Sequence, residues 1–343
     1  MSLQPSRGNG ARARRALPAC LTTLLCALAV LAMPAAQAAR HQADNALPAD
    51  CNRACLEGFL ERYMQALLAH DPARLAWARV VRSTENNVAL RLGDGLWGTI
   101  TAHNAAQDLK FVDVEQGQAG LFGVVEEHGV PGYLALRLKV VDRRIAEVET
   151  QVSRTPPPPP GVAPGPFYAD PKTFTHFPQM QASLPAAERV PRGRMVDLAN
   201  GYFSTLQLND GALLTAFADD CARRENGFQS AGEPGSSSAA IRMSCGEQFR
   251  LGSYRMDSAV RDRDYMVVDE ERGLVLARAF INHNGVLTDF KLADGTPAVS
   301  FAKYPSSLSM LELFHIRNGK IDRIEVVHIG VPYAMPTAWP TGE

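Results

Sequence analysis

The stretch Ser83–Thr99, STENNVALRLGDGLWGT, contains a Glu-Asn pair, Glu85–Asn86, that recurs far along the chain as Glu225–Asn226 in CARRENGFQS. Two further pairs of segments match in the same order and with nearly equal spacing. They are HDPARL with NDGALL (residues 70–75 and 209–214) and RIAEVE with KIDRIE (residues 144–149 and 320–325). Three ordered matches indicate an internal duplication.

A proline-rich stretch separates the two copies. RTPPPPPGVAPGPFYADP (residues 154–171) contains five consecutive prolines. Such a run continues neither a helix nor a sheet and adopts an extended, semi-rigid conformation. We therefore predict a first domain at 50–153, a linker at 154–190 and a second domain at 191–340. The length of 343 residues also suits two domains.

Each copy begins with a helical pattern and continues with strand patterns. CLEGFLERYMQALLAHD (55–71) carries apolar residues at helical spacing, and MVDLANGYFSTLQLNDGALLTAFADD (195–220) has the same periodicity. A helix followed by strands indicates an α+β fold, in which an antiparallel sheet covers its helix.

The strand patterns are separated by Gly-rich and charged turns, and RNGK is a hairpin turn. The predicted strands are LRLGDGLWGTI, QAGLFGVVEEHG, GYLALRLKVVDRR and RIAEVETQVS in the first copy, and GLVLARAFINHNG and SMLELFHIRNGKIDRIEVVHIG in the second. RLGDGLWG is interpreted as a hairpin bend, with no helix after it to hold a phosphate.

The composition permits real cores but favours no charged partner. Hydrophobic residues make up 46% of the chain and charged residues 21%, and the formal net charge is -1. A nearly neutral chain exerts little attraction on phosphate backbones or anionic lipids. We therefore predict no nucleic-acid partner and expect a small or neutral ligand.

The N-terminal segment has the pattern of an export signal. An arginine-rich leader precedes the apolar run LTTLLCALAVLAM and the small-x-small site Ala36–Ala38. We predict a signal peptide at 1–38 and a secreted or periplasmic protein without membrane contact after cleavage. The Arg14–Arg15 pair leaves twin-arginine export as an alternative to Sec-type export. An uncleaved anchor is disfavoured, because the run is shorter than the roughly 20 residues that span a bilayer.

Four cysteines remain after the predicted cleavage, and an even number in an oxidising compartment predicts disulfides. They are Cys51, Cys55, Cys221 and Cys245. Of the three possible pairings we favour 51 with 55 and 221 with 245, because each then joins residues of one half. The alternative is a zinc site, but the spacing contains no C-x-x-C, so we predict no metal.

These elements together resemble the cone-shaped domains of the NTF2-like, SnoaL-like superfamily. The features that carry the resemblance are a long helix, a short helix opened by Asp-Pro or Asp-Gly, a strand ending in Glu-Asn, and closing hairpins of the I-x-x-I-E type. With TENN…LGDGLWGT in the first copy and VPYAMPTAW closing the second, the layout is similar to exported bacterial and fungal proteins with a domain of unknown function.

The resemblance covers nearly the whole mature chain and implies two tandem NTF2-like cone-shaped α+β-barrel domains joined by the Pro-rich linker. In that superfamily the curved sheet wraps the helix and leaves a deep apolar pocket. Members include ketosteroid isomerases, dehydratases, epoxide hydrolases and polyketide cyclases, as well as binding modules, so the fold does not decide the function.

The candidate catalytic residues are carboxylates and histidines within the predicted cones, where burial brings a carboxylate pKa toward neutrality. Side chains alternate along a strand, so one member of each Glu-Asn pair enters the cone, and we favour Glu85 and Glu225. His328 lies on an Ile and Val strand and needs a hydrogen-bond partner, which Glu225 could supply. His283 lies near a turn, and His315 is predicted at the rim or surface.

Asparagines and aromatic rings complete the predicted site. The candidate ligand-binding residues are Trp97, Asn86, Asn226, Tyr202 and Tyr304. The alternative reading makes the asparagines turn residues, pairs each glutamate with an arginine in solvent and assigns the rings to core or hinge packing.

The sequence contains no G-x-S-x-G, H-E-x-x-H or P-loop motif and no G-x-G-x-x-G after a strand, since GDGLWG belongs to the predicted hairpin bend. We predict no cofactor. Our primary hypothesis is an exported protein that binds a small, largely apolar organic ligand. Its second domain would perform acid/base lyase, isomerase or hydrolase chemistry, with Glu225 or His328 as the base. The alternative is a non-catalytic binding or scaffolding module whose domains pack through open sheet faces, within one chain or in a homodimer.

Overall fold

A computed structural model of the protein describes residues 51–165 and 167–340. The predicted signal peptide, residues 1–38, lies outside the described residues. None of the helices in the described part of the chain is long and apolar enough to cross a membrane.

The first half opens with helix α1 (Arg53–Leu68), which confirms the helical pattern. Asn52 caps the helix, because its side-chain oxygen accepts the N–H of Cys55 at 3.1 Å. Burial of each large apolar side chain contributes about 1.5–3 kcal/mol, so the buried face holds the helix in place. Its buried residues are Leu56, Phe59, Leu60, Tyr63, Met64, Ala66 and Leu67.

The first sheet lies across helix α1 and has the strand order β2-β1-β7-β6-β5-β3, with β4 paired to β5. Strand β1 runs parallel to β7, and the other pairs are antiparallel. Its strands are β1 (Trp77–Glu85), β2 (Val88–Ala89), β3 (Ala102–His103), β4 (Leu109–Asp113), β5 (Gln118–Glu127), β6 (Val130–Val141) and β7 (Arg144–Arg154).

The second sheet lies across helix α4 (Arg192–Leu208) and has the order β10-β11-β14-β15-β8-β9. A separate hairpin, β12 with β13, is inserted between β11 and β14. The strands are β8 (Phe217–Glu225), β9 (Phe228–Ala231), β10 (Asp257–Asp269), β11 (Leu274–His283), β12 (Asp289–Lys291), β13 (Pro297–Val299), β14 (Ser306–Arg317) and β15 (Lys320–Val331).

The two sheets have matching connectivity. In each, the strand that ends in Glu-Asn pairs in parallel with the last long strand, β1 with β7 and β8 with β15. The last strand pairs with the long strand before it, β7 with β6 and β15 with β14, and that strand pairs with the preceding long strand, β5 or β11. Mixed sheets lying across helices make this an α+β structure.

Two local predictions were wrong. GLWGT forms a short helix, α2 (Leu96–Thr99), where we predicted a strand and hairpin bend. The Glu85 carboxylate holds its start, because Oε2 accepts the N–H of Leu96 at 2.6 Å. In the second half the helical periodicity stops at Leu208, since Asn209 adopts a left-handed conformation and the chain enters β8 at Phe217.

The segment predicted as a linker has an exposed and a packed part. The chain from Pro156 to Gly165 is mostly exposed. Beyond it, Phe177 and Met180 are buried in a core shared by both sheets. The short helices of this packed part are the 3₁₀ turns Pro171–Thr173 and Ala186–Glu188 and helix α3 (Pro178–Gln181).

The sheet faces that do not cover α1 and α4 pack against each other. Their shared core draws residues such as Phe111 and Phe122 from the first sheet and Leu276 and Leu313 from the second. Buried polar contacts cross the same interface, including a hydrogen bond from Gln151 Nε2 to the Ser309 carbonyl at 2.9 Å. Both faces of each sheet are therefore covered.

Two disulfides link the same cysteine pairs that we favoured from the sequence. Cys51–Cys55 joins the residue before the helix cap to the first turn of α1. Cys221–Cys245 joins β8 to the short helix α6 (Cys245–Arg250), which follows helix α5 (Ala239–Arg242). The second disulfide therefore fixes α6 beside the strand that carries Glu225.

Candidate functional site

A small cavity of about 60 Å³ lies between helix α4 and the inner face of the second sheet. Most of its wall is apolar, and its acidic and basic residues come from β8, β10, β11, β14 and β15. The apolar lining residues are Leu206, Ile281, Phe301, Leu308, Met310 and Val326. Three predicted catalytic residues, Glu225, His283 and His328, line it, and so does the predicted ligand-binding residue Tyr202.

Strand alternation explains which residues reach this cavity. Along β14 the inward positions include Met310 and Glu312, and along β15 they include Val326 and His328. On β8 the cavity receives Arg223 and Glu225. Residues two apart on adjacent strands therefore bring carboxyl, imidazole and guanidinium groups together.

Glu225 is the ionised carboxylate of the cavity. Its Oε1 lies 2.7 Å from Arg223 Nε and accepts the Ser230 hydroxyl at 2.9 Å. Burial alone would raise the pKa of Glu225, but Arg223, His328 and Ser230 hold that pKa below its usual value. About 36% of its side-chain surface is accessible, so the carboxylate can contact a ligand.

Glu312 on β14 is the protonated carboxyl of the same cavity. Burial raises the pKa of Glu312 to about 8, with Glu225 acting in the same direction while Arg223 and Tyr202 oppose the rise. The side chain is buried. Glu312 therefore carries its proton at neutral pH and can donate it.

His328 is a neutral imidazole. Burial lowers the pKa of His328 below its usual value, although the Glu225 carboxylate acts in the opposite direction. Its Nδ1 is buried and has no hydrogen-bond partner among the described residues. A buried ring nitrogen without a partner is costly, and such a group in a cavity is a candidate for contact with a ligand.

His283 and Asp257 form a pair at one end of the cavity. His283 Nε2 lies 2.9 Å from Asp257 Oδ1, and both side chains are buried. Burial raises the pKa of Asp257, while its hydrogen bond to His283 lowers it in part. The Phe301 ring stands edge-on to His283, with 5.8 Å between ring centroids.

Helix α6 positions the Arg223 side chain. Its Nη2 donates to Gln248 Oε1 at 3.0 Å and also contacts the Tyr254 hydroxyl, which itself donates to Gln248. The disulfide at Cys245 fixes the start of α6. Helix and disulfide together position the guanidinium that keeps Glu225 ionised.

The predicted first-half residues do not reach this cavity. Glu85 accepts the Leu96 N–H and pairs with Arg154 at 3.1 Å. Trp97 is buried in the first core and meets the Tyr63 ring at 5.3 Å between centroids.

Tyr304 and His315 in the second half do not line the cavity either. Tyr304 is 80% exposed on the insertion that carries β12 and β13. The prediction that His315 lies at the rim or surface was wrong, because it is buried and bonded to Asp322.

Both asparagines of the Glu-Asn pairs bind backbone rather than the cavity. Asn226 Nδ2 donates to the His328 carbonyl, and its Oδ1 accepts the His328 N–H, each at 3.0 Å. Asn86 makes the same two bonds to Val152, at 3.2 and 2.8 Å. We refer to each such pair of bonds as an asparagine clamp.

Four polar lining residues escaped the sequence analysis: Glu312, Arg223, Tyr254 and Asp257. Glu312 could have been identified from the sequence, because in SMLELF it shares a strand face with the apolar residues Met310 and Phe314. Within residues 51–165 and 167–340, no group of three or more His, Cys, Asp or Glu side chains is arranged to hold a metal ion.

A family model described as a domain of unknown function (DUF8021) matches residues 188–328, the part of the chain that holds the cavity. No curated protein matches the chain.

Solved structures similar to part of the chain include a candidate hydroxylase from Streptomyces galilaeus, at 13% identity and a TM-score of 0.27, covering 41% of this chain and 83% of that one. A candidate polyketide cyclase from Silicibacter sp. has 18% identity and a TM-score of 0.26, covering 39% of this chain and 88% of that one. Another, from Xanthomonas campestris pv. campestris, has 20% identity and a TM-score of 0.25, covering 40% and 90%.

Proposed function

We propose that the cavity of the second half is a cofactor-independent acid/base site for a small, largely apolar organic molecule. The observation that carries the proposal is that Glu225 and Glu312 line one cavity in opposite protonation states. Titratable groups whose surroundings push their pKa values apart are the usual mark of an acid and base assignment.

In the proposed reaction His328 is the base and Glu312 is the acid. The free Nδ1 of His328 takes a proton from the substrate, and the Glu225 carboxylate stabilises the imidazolium that forms. Glu312 gives its proton to another atom of the same molecule. Transfer at two positions of one neutral substrate is an isomerisation, and it becomes an elimination when the protonated group departs. General acid and base steps of this kind each contribute about 10²–10⁴-fold.

The residues of the first half that correspond to His328 and Glu312 are apolar, which supports this assignment. The asparagine clamp of Asn226 holds His328, whereas that of Asn86 holds Val152. Glu312 lies opposite Val326 on β15, and Leu136 lies opposite Thr150 on β7. Valine and leucine can exchange no protons, so we propose that only the second half carries chemistry.

We further propose that the chain is a tandem NTF2-like pair, with domains at 50–153 and 191–340 joined by residues 154–190. The matching strand orders and the two asparagine clamps support this duplication. Export to the periplasm or the exterior under a signal peptide at 1–38 fits the two disulfides, since these persist in oxidising compartments.

A non-catalytic binding or scaffolding module is the second candidate. The observation that favours it is the apolar core between the two sheets, which pairs the halves within one chain. In that case the cavity would hold a ligand without changing it, and the first half would serve as a support.

One experiment separates the two candidates. Neutral aromatic and terpenoid metabolites are screened for thermal stabilisation of the protein, because a ligand of the native state raises its stability. Each stabilising compound is then incubated with protein in deuterated water, and deuterium uptake is followed by mass spectrometry. We expect uptake in the presence of the unmodified protein.

The matched variant for this experiment is His328→Val, which copies the residue that the first clamp holds. It should bind the same compounds but slow deuterium uptake by about 10²-fold or more. Binding with no uptake in either protein would favour the non-catalytic module. Equal uptake in both would remove His328 from the proposed mechanism.

A further inference from the structure

The second half contains an insertion that the first half lacks. Residues 284–305 join β11 to β14 and carry the β12–β13 hairpin. In the first half the corresponding strands, β5 and β6, are joined by a tight turn at residues 128–129. We call residues 284–305 the mouth insertion.

The mouth insertion packs at the end of the cavity where His283 pairs with Asp257. Its base adjoins His283, which lines the cavity at the end of β11. At its tip the Ala293 N–H donates to the Leu251 carbonyl at 2.9 Å, and Arg255 Nη1 donates to the Lys291 carbonyl at 3.0 Å. Leu251 and Arg255 lie on either side of Tyr254 in the chain, and Tyr254 is another lining residue, so the hairpin packs beside this end of the cavity.

Phe301 is the insertion residue that faces the cavity. It lines the wall and contacts the His283 ring, yet 63% of its surface is exposed. An apolar ring left half in water gains burial when it covers an apolar opening or when a ligand covers it. Tyr304, on the same insertion, is 80% exposed and does not line the cavity.

We propose that Phe301 gates the cavity, so that displacement of its ring admits small apolar molecules to Glu312 and His328. The proposal rests on the proposed function only in placing the ligand site in this cavity. It requires none of the acid/base chemistry. Because the ring sits at the mouth, its size also sets which ligands can pass.

The test measures access directly, with a thiol placed inside the cavity. Val326 lines the wall and is buried, and the four cysteines among the described residues are joined in disulfides. In Val326→Cys protein the rate of modification by methyl methanethiosulfonate, a small neutral reagent, is followed by mass spectrometry. Adding Phe301→Ala should raise that rate roughly tenfold, equivalent to about 1.4 kcal/mol.

Two controls guard against a loosened fold. Tyr304→Ala, on the same insertion but away from the wall, should leave the modification rate of the introduced thiol unchanged. Phe301→Trp should lower the rate below that of the Val326→Cys parent, because a larger ring covers more of the mouth. A variant that merely destabilised the second half could not slow the reaction.

A rate that does not respond to Phe301→Ala, or that rises equally with Tyr304→Ala, would overturn the gate. The reagent reacts with a thiol and needs no proton from Glu312 or His328. The gate and the proposed function can therefore fail separately.

Discussion

At the scale of single residues, the cavity depends on two glutamates that carry different charges at neutral pH. Glu225 has Arg223 beside it and stays ionised, whereas Glu312 is buried facing the same negative charge and keeps its proton. Arg223 lowers the pKa of both acids, but burial outweighs this effect at Glu312 and not at Glu225. Moving that guanidinium would make the two acids more alike and remove the division between proton donor and carboxylate.

Stability should fall with rising pH because of Glu312. Its pKa of about 8 in the folded protein lies above the unfolded value of about 4.3. Between these values the folded state binds more protons, so each unit of pH removes free energy of unfolding. Glu312→Gln should remove that slope, worth at most about 5 kcal/mol, when urea unfolding is compared at pH 5 and pH 8.5.

Glu225→Gln is the matched variant, and the pH dependence of stability that it removes has the opposite sign. The pKa of Glu225 is lowered in the folded protein, so its stabilisation is present above the unfolded value and is lost as pH falls through the folded one. If the stability of wild type and of Glu312→Gln changed in parallel between pH 5 and pH 8.5, Glu312 would be ionised like an ordinary glutamate.

Part of this site could be predicted from the sequence. The sequence pointed to His328 because a polar side chain among apolar strand neighbours requires a partner, and to Glu225 because it belongs to the repeated Glu-Asn pair. Glu312 has the same signature but was missed, since it is neither a histidine nor part of the repeated pair. Trp97 and Tyr304 were misplaced because a ring in a sequence does not reveal whether it lies in the core, on the surface or at a cavity.

At the scale of elements, the recurring Glu-Asn pair ends a strand with a turn that bonds to the sheet. Asn86 and Asn226 have φ values of 51° and 44°, in the left-handed region that asparagine tolerates. Their side chains clamp β7 and β15. The pair therefore recurs for structural reasons, and the second glutamate reaches the cavity because its strand forms the wall.

The asparagine clamps predict a paired result. Glycine tolerates the same positive φ, so Asn86→Gly and Asn226→Gly each remove two hydrogen bonds without adding backbone strain. We expect each to lower the free energy of unfolding by about 1–3 kcal/mol, measured by urea denaturation. Only Asn226→Gly should also change the Nδ1 and Nε2 chemical shifts of His328 in a nitrogen-15 NMR spectrum.

A stability loss in one variant alone would mean that the two clamps are not equivalent.

The helix at GLWGT shows the limit of prediction from local sequence patterns. Its start is held by Glu85, which lies outside the helix on strand β1, so periodicity over a few residues could not separate it from a bend.

At the scale of the whole molecule, the two sheets share one core and the C-terminal segment joins them. Strand β11 is buried on both faces, and its run LVLARAFI reads as nearly continuous apolar sequence, as such strands do. We predicted this run only as a strand, and the pattern does not show what covers its second face. The face that covers it belongs to the sheet of the first half. How the two sheets align depends on contacts between the halves, which no local sequence pattern contains.

The C-terminal segment reaches back to the stretch STENN. Asn87 bonds to the backbone of Pro336 and Ala338, each at 2.8 Å, and the indole N–H of Trp339 donates to the Thr84 hydroxyl at 3.1 Å. The Trp339 ring also lies 4.6 Å from the guanidinium of Arg137. VPYAMPTAW therefore connects the end of the second half to the first sheet.

Trp339→Ala should accordingly destabilise the whole chain, because it removes a buried ring and uncovers two charged side chains of the interface, Arg137 and Arg278. We expect a loss of about 3–5 kcal/mol in the free energy of unfolding, measured by urea denaturation. Tyr333→Ala, in the same segment but 45% exposed, should cost much less. If the two substitutions had equal effects, the segment would be an ordinary surface tail, and the shared core alone would hold the halves together.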